Sequence, residues 1–194
     1  DSIGETMNSP AMVSMFGAFE PELMKTTAGL MAAMLTVFMG IFMIILNIQL
    51  AVNGSRKQED SGLLELVRSR AVGRNVPAIA NALLIFLANL FLGICYFATL
   101  QLAGLNDSNL VGDAVFAALL AGVGWMFGCI TLLMAQVAND TRQTYMLSYV
   151  IFAVSYLARM MTDMSNPDYS WVSPMGWLTK GDIYSGNNWL PVGL

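Results

Sequence analysis

Residues 26–50 read TTAGLMAAMLTVFMGIFMIILNIQL, without one Asp, Glu, Lys or Arg. A helix needs about 20 mostly apolar residues to cross the hydrocarbon layer of a bilayer, and ~18 uncharged ones already mark a span. The pattern repeats further along. No acidic or basic side chain falls between Arg74 and Asp107, nor between Asp113 and Asp140. The run from Arg142 to Arg159 is shorter but close to the same limit. These runs predict transmembrane helices over residues 26–50, 77–103, 114–138 and 144–161. Residues 53–76, 104–113 and 139–143 connect them, with segments 1–25 and 162–194 at the two ends. Composition agrees: the 194 residues are 56% hydrophobic and 11% charged, whereas a soluble domain carries roughly a quarter charged residues. So few charges cannot cover a surface in water. The expected fold is all-α, a polytopic transmembrane helix bundle with four spans.

Several function classes drop out on residue content. The chain has no histidine, so imidazole catalysis and imidazole metal sites are excluded within it. No catalytic residue and no metal ligand set is expected. Cys95 and Cys129 fall inside predicted spans and read as small apolar packing residues. No GxxxxGK[ST] loop occurs, so nothing here is expected to cradle ATP phosphates. Lys25-Thr26-Thr27 resembles only the tail of such a loop and lacks its glycines.

Lys and Arg set the orientation, because they concentrate in cytoplasmic loops. The loop after the first span holds Arg56, Lys57, Arg68, Arg70 and Arg74, and the turn after the third holds Arg142. Residues 53–76 and 139–143 are therefore expected in the cytoplasm, and both ends of the chain outside. The chain then reads as a piece of a longer protein, with a further span expected before and after it. The outer segment 162–194 carries Trp171, Trp177 and Trp189 with Tyr169 and Tyr184. It fits either an aromatic belt at the interface or a cap over an exit.

The 53–76 loop, NGSRKQEDSGLLELVRSRAVGRNV, is too patterned for a linker. Leu63, Leu64, Leu66, Val67 and Ala71 share one broad helical face, with Glu65 and Arg68 opposite. Glu59, Asp60 and Ser61 stand where a helix begins, and Arg68, Arg70 and Arg74 where it ends, complementing the exposed N–H and C=O groups. Gly73 is a plausible stop. A short amphipathic helix is predicted, lying parallel to the membrane, either in the lipid headgroups or against a soluble partner.

The run from Glu59 to Arg74 resembles the cytoplasmic segment of ABC-2-type transporter permeases, most of all their tetronasin and polyketide-antibiotic exporter branch. Acidic residues, Gly, an apolar residue, Glu, two apolar positions, a basic residue, Ser and Val-Gly-Arg follow in the same order, with Ala71 where many relatives have Pro. Asn8-Ser9-Pro10-Ala11-Met12 with Phe16-Gly17 is similar to the segment after their first span. Residues 171–177, WVSPMGW, followed by Asn187-Asn188-Trp189-Leu190-Pro191, are similar to the segment before the last span of a half. The resemblance implies a permease of an ABC exporter in the bacterial plasma membrane. Such a permease moves a lipophilic drug, antibiotic or similar compound outward, driven by a separate ATP-binding subunit that holds ATP and Mg. No cofactor is implied in this chain itself, and no nucleic-acid partner. A second permease half, on the same or another chain, is implied, with membrane lipid around both. It further implies that the cytoplasmic amphipathic helix is a coupling helix meeting the ATPase through Glu59, Asp60, Gly62, Leu63, Glu65, Leu66, Arg68, Ser69 and Arg74.

Within the spans, Asn47, Gln49, Asn81, Asn89, Gln136 and Arg159 are the polar residues that stand out, and no carboxylate sits at mid-span. That speaks against a proton- or sodium-coupled transporter. Asn89 lies nearest the middle; it reads as a residue of the transport pathway or as a hydrogen-bonding joint between helices. Met126 is a second pathway candidate, since Met side chains line adaptable apolar space. Arg159 is expected to extend toward the outer surface. Gly124 and Gly128 have the spacing of close helix packing. Two other readings compete: a non-transporting immunity or scaffold subunit, and an intramembrane enzyme, against which the missing His and GxSxG elbow weigh.

Overall fold

A computed structural model describes residues 27–63, 65, 73, 75–104, 109–165, 171, 173–181, 183–184 and 188–193. Among them there is no strand. Four long helices form the bundle: α1 Thr27–Gly54, α3 Val76–Ala103, α4 Leu110–Val137 and α5 Thr141–Ser165, with the short α2 Arg56–Asp60 between the first two. All four are long and apolar enough to cross a membrane. At 1.5 Å per residue, 25 or 28 residues reach about 40 Å, more than the ~30 Å of hydrocarbon.

Local chemistry fixes the ends. Pro77 sits in the first turn of α3, where its missing N–H costs nothing. Gly104 closes the same helix in the left-handed region, at φ 56°, the usual use of glycine past a helix end. α4 starts at Leu110, ahead of the run at Ala114 from which a span is expected, because Asn109 Oδ1 caps it by accepting from Gly112 N at 2.6 Å. Asp113 is thereby brought into the helix, in its first turn, where a carboxylate suits the helix dipole. α5 starts at Thr141 behind Asp140, whose Oδ1 accepts from Gln143 N at 2.6 Å, while Gln143 Oε1 accepts from Asn139 N at 2.8 Å. This exchange resembles a capping box.

α4 is the central helix. It packs against α1, α3 and α5 and supplies Val115, Phe116, Leu119, Leu120, Val123 and Phe127 to the core. α3 meets it through small residues: a Cβ on Gly93 would come within 3.2 Å of Ala121 Cβ. α3 is otherwise peripheral, with Leu83, Leu87, Phe91 and Ile94 exposed. Faces of this kind are what a helix presents to lipid.

The segment after α5 returns into the bundle. A 3-10 turn, Pro174–Leu178, places Met175 and Leu178 in the core. Leu178 lies over Gly40, well inside α1, where an added Cβ would overlap its side chain. Ser173 Oγ donates to the Ser155 carbonyl at 2.6 Å, and Trp177 Nε1 to the Trp171 carbonyl at 2.9 Å. Non-helical backbone at such depth is tolerated when protein surrounds it, as it does here. A second 3-10 turn, Leu190–Val192, packs on α4.

Candidate functional site

Three polar assemblies punctuate the apolar bundle. The first lies within the spans. Asn47 Nδ2 donates to Asn89 Oδ1 at 3.0 Å, and Asn89 Nδ2 returns the bond to Asn47 Oδ1 at 2.5 Å. Each amide also donates to its own helix, to the carbonyls of Met43 and Ile85, at 2.8 Å in both cases. α4 makes room by having no side chain there: a Cβ on Gly124 would stand 2.5 Å from Asn89 Oδ1 and 2.6 Å from Asn47 Nδ2, and one on Gly128 2.7 Å from Ile85 Cγ2. Asn89, only 2% exposed, is thus a joint between α1 and α3 laid over the glycines of α4. Polar pairs of this kind hold helices together in lipid.

Met126 is placed differently. It borders a cavity of about 220 Å³ with Leu119, Gly122, Trp125 and Cys129 of α4, closed by Trp177, Pro191 and Val192 of the inserted turns. The side chains that line it are mostly apolar, the character of a site for lipophilic molecules. Asn89 has no share in it.

The second assembly sits at the end of the bundle away from α2. Asp113 is fully buried and accepts from Gln101 Nε2 at 2.6 Å and from the Tyr184 hydroxyl. Tyr184 adopts φ 67°, a left-handed conformation that costs an ordinary residue roughly 1–2 kcal/mol. Its ring lies against Gly112, where a Cβ would collide with it. Burial, and then the bond to Asp113, push the Tyr184 phenol well above its ordinary pKa. In α5, Arg159 pairs with Asp163 at 3.6 Å and lies over the Tyr156 ring at 5.2 Å. The expectation that Arg159 reaches the surface is corrected: it is completely buried, because the pair and the ring lie within reach of it on its own helix.

The third assembly lies at the end of the bundle that carries α2. Arg56 bonds Glu59 at 2.8 Å and donates to the Asn139 carbonyl. Asp60 Oδ2 accepts from Thr141 N at 2.8 Å and from the Thr141 hydroxyl at 2.5 Å. Those bonds, the hydroxyl first, hold the Asp60 carboxyl below the ordinary carboxylate range. Behind them, Tyr145 donates to Gln49 Oε1 at 2.8 Å and Gln49 Nε2 to the Tyr149 hydroxyl at 3.2 Å. Residues 53–60 and 139–143 therefore share one end of the bundle.

Of the residues expected to meet a partner, Glu59 and Asp60 end α2, Gly62 turns the chain at φ 74°, and Leu63 and Glu65 are exposed. Leu66, Arg68, Ser69 and Arg74, and with them most of the expected amphipathic helix, lie outside the described residues. The Asp60 carboxylate faces α5. Sequence reasoning passed over Thr141 and Asp113. Thr141 falls inside the expected 139–143 turn, and Asp113 is the last residue of the expected 104–113 loop. Among the described residues, no three His, Cys, Asp or Glu side chains gather to hold a metal ion.

Residues 1–191 match the family described as the C-terminal domain of the multidrug efflux system permease Rv1217c. The chain is 26% identical over 183 residues to the multidrug efflux system permease protein Rv1217c of Mycobacterium tuberculosis (strain ATCC 25618 / H37Rv). That alignment covers 94% of this chain and 32% of the relative, so the chain spans about a third of that protein's length.

Proposed function

We propose that this chain, which belongs to the family of the C-terminal domain of the multidrug efflux system permease Rv1217c, is part of the membrane permease of an ABC exporter. It moves a lipophilic drug, antibiotic or similar compound outward across the bacterial plasma membrane, powered by a separate subunit that binds ATP and Mg. The observation that carries this reading is the match to a multidrug efflux permease over residues 1–191. The bundle supports it: four helices suited to a membrane, an apolar cavity beside Met126, and an end where Arg56 and Lys57 of α2 lie on the same side as Arg142. The polyketide-antibiotic branch is our finer reading, resting on the run from Glu59 to Arg74. The end bearing Arg56, Lys57 and Arg142 faces the cytoplasm in this reading, and the loop from Gly62 to Arg74 docks the ATPase, while the Asp60 carboxylate is engaged by α5. A second permease half completes the pathway.

The test is purification of the full-length permease from cells that express its ATP-binding partner, followed by ATP-driven ethidium uptake into inside-out vesicles. The partner is expected to co-purify, and ethidium to accumulate only with ATP. Replacing Glu65 and Arg68 together is expected to leave the protein inserted while separating ATP hydrolysis from transport. A chain that binds no ATPase and moves no ethidium is instead the immunity or scaffold subunit.

A further inference from the structure

A helix start exposes N–H groups that normally take their cap from the residue just before. α5 has that local cap in Asp140. It has a second carboxylate as well, from a different element: Asp60 of α2, bonded to both the N–H and the hydroxyl of Thr141, 81 positions away in sequence. Arg56 adds a bond to the carbonyl of Asn139 in the turn before α5, and is tied back to Glu59 and, at 3.8 Å, to Asp60. α2 and the head of α5 are thus joined by several directional contacts.

Toward α3 the situation is opposite. A cleft of about 280 Å³ separates Gln58 of α2 from Val76, Pro77 and Ala80 of α3. Yet α3 is the helix that follows the loop in sequence. A push on α2 therefore meets directional bonds at α5, whereas α3 is tied to the neighbouring end of α1, where Asn81 Nδ2 donates to the Ala51 carbonyl at 3.0 Å. α5 is a single 25-residue helix, and it carries the contact onward: the Ser155 carbonyl holds Ser173 of the inserted turn.

We propose that Asp60 is a positioning residue that transmits displacement of the cytoplasmic loop to Thr141, so that the stroke reaches α5 and the inserted turn. This deepens, and rests on, the reading that an ATPase acts on the loop. It differs from a docking role for Asp60, because the carboxylate is spent on the permease's own helix.

The experiment uses the full-length transporter with its ATP-binding partner in proteoliposomes, and reads three quantities: partner retained, ATP hydrolysed and ethidium moved per ATP. Asp60→Ala and Thr141→Val are each expected to retain the partner and hydrolysis while lowering ethidium moved per ATP by about tenfold. Thr141→Ser, which keeps the hydroxyl, is expected to stay near the parent ratio. The double variant Asp60→Ala/Thr141→Val is expected to be no worse than either single one. An unchanged ratio in both single variants overturns the proposal. So does loss of the partner in Asp60→Ala with Thr141→Val unaffected, which makes Asp60 a docking residue. Absence of any ATPase on the unmodified protein is a separate result, and it removes the functional reading itself.

Discussion

Asn47 and Asn89 show how a polar side chain is accommodated in an apolar bundle. Each uses its amide twice, once across and once along its own helix, so neither is left unsatisfied in lipid. Gly124 is the condition for this, since even one methyl there would displace the pair. Gly124→Ala is expected to destabilise the folded protein by about 1–3 kcal/mol. Gly122, two residues away, has nothing within 4 Å of an added Cβ. Gly122→Ala is expected to be neutral or to stabilise by up to about 1 kcal/mol. Reversible unfolding in mixed detergent micelles measures both, and equal effects would contradict this geometry. Tyr184 makes a second residue-scale prediction. Its folded pKa is raised, so its stabilising contribution is intact below the ordinary tyrosine value of about 10 and declines as pH climbs beyond it. At pH 11, Tyr184→Phe is expected to lose no phenolate absorbance at 295 nm relative to the parent, whereas replacing a solvent-accessible tyrosine would.

At the scale of elements, the inserted 3-10 turn is the least expected part. Leu178 fills space over Gly40, and Leu178→Ala is expected to cost about 2–5 kcal/mol, seen as a lowered midpoint in the same unfolding assay. The four long helices could be read from the sequence because the signal is local: a charge-free run of sufficient length has few other uses. The turn could not, because its polar and aromatic residues look like an outer segment until Gly40 and Leu178, far apart in sequence, are brought together. The Asn pair was half legible. Asn47 and Asn89 both stand out as polar residues in apolar runs, but they sit 42 positions apart, and nothing in either run names the other. Arg159 differs. Its partners Asp163 and Tyr156 stand about one turn away on α5 and are legible by helical spacing, and the fold adds that the side chain is completely buried instead of reaching water. The α2 region was legible in charge but not in contact. Asp60 reads as a helix-start carboxylate, and it does cap a helix, though a different one.

For the whole molecule, our orientation places the end bearing Arg56, Lys57 and Arg142 in the cytoplasm. In a background with Cys95 and Cys129 replaced by Ser, a membrane-impermeant maleimide is expected to label Arg142→Cys in inside-out vesicles and not in intact cells. Trp189→Cys, exposed near the far turn, is expected to behave the opposite way, and the reverse pattern would invert the topology. The bundle built around α4 also bears on how the chain is made. Asp113 takes one donor from 12 positions earlier, Gln101, and another from 71 positions later, Tyr184. When the α3–α4 hairpin leaves the ribosome, Tyr184 has not yet been synthesised. Gln101 is then the partner available to the nascent carboxylate as the hairpin enters the bilayer, where an unpartnered charge is costly. Tyr184 arrives later, and its bond seals the inserted segment onto a hairpin already in place.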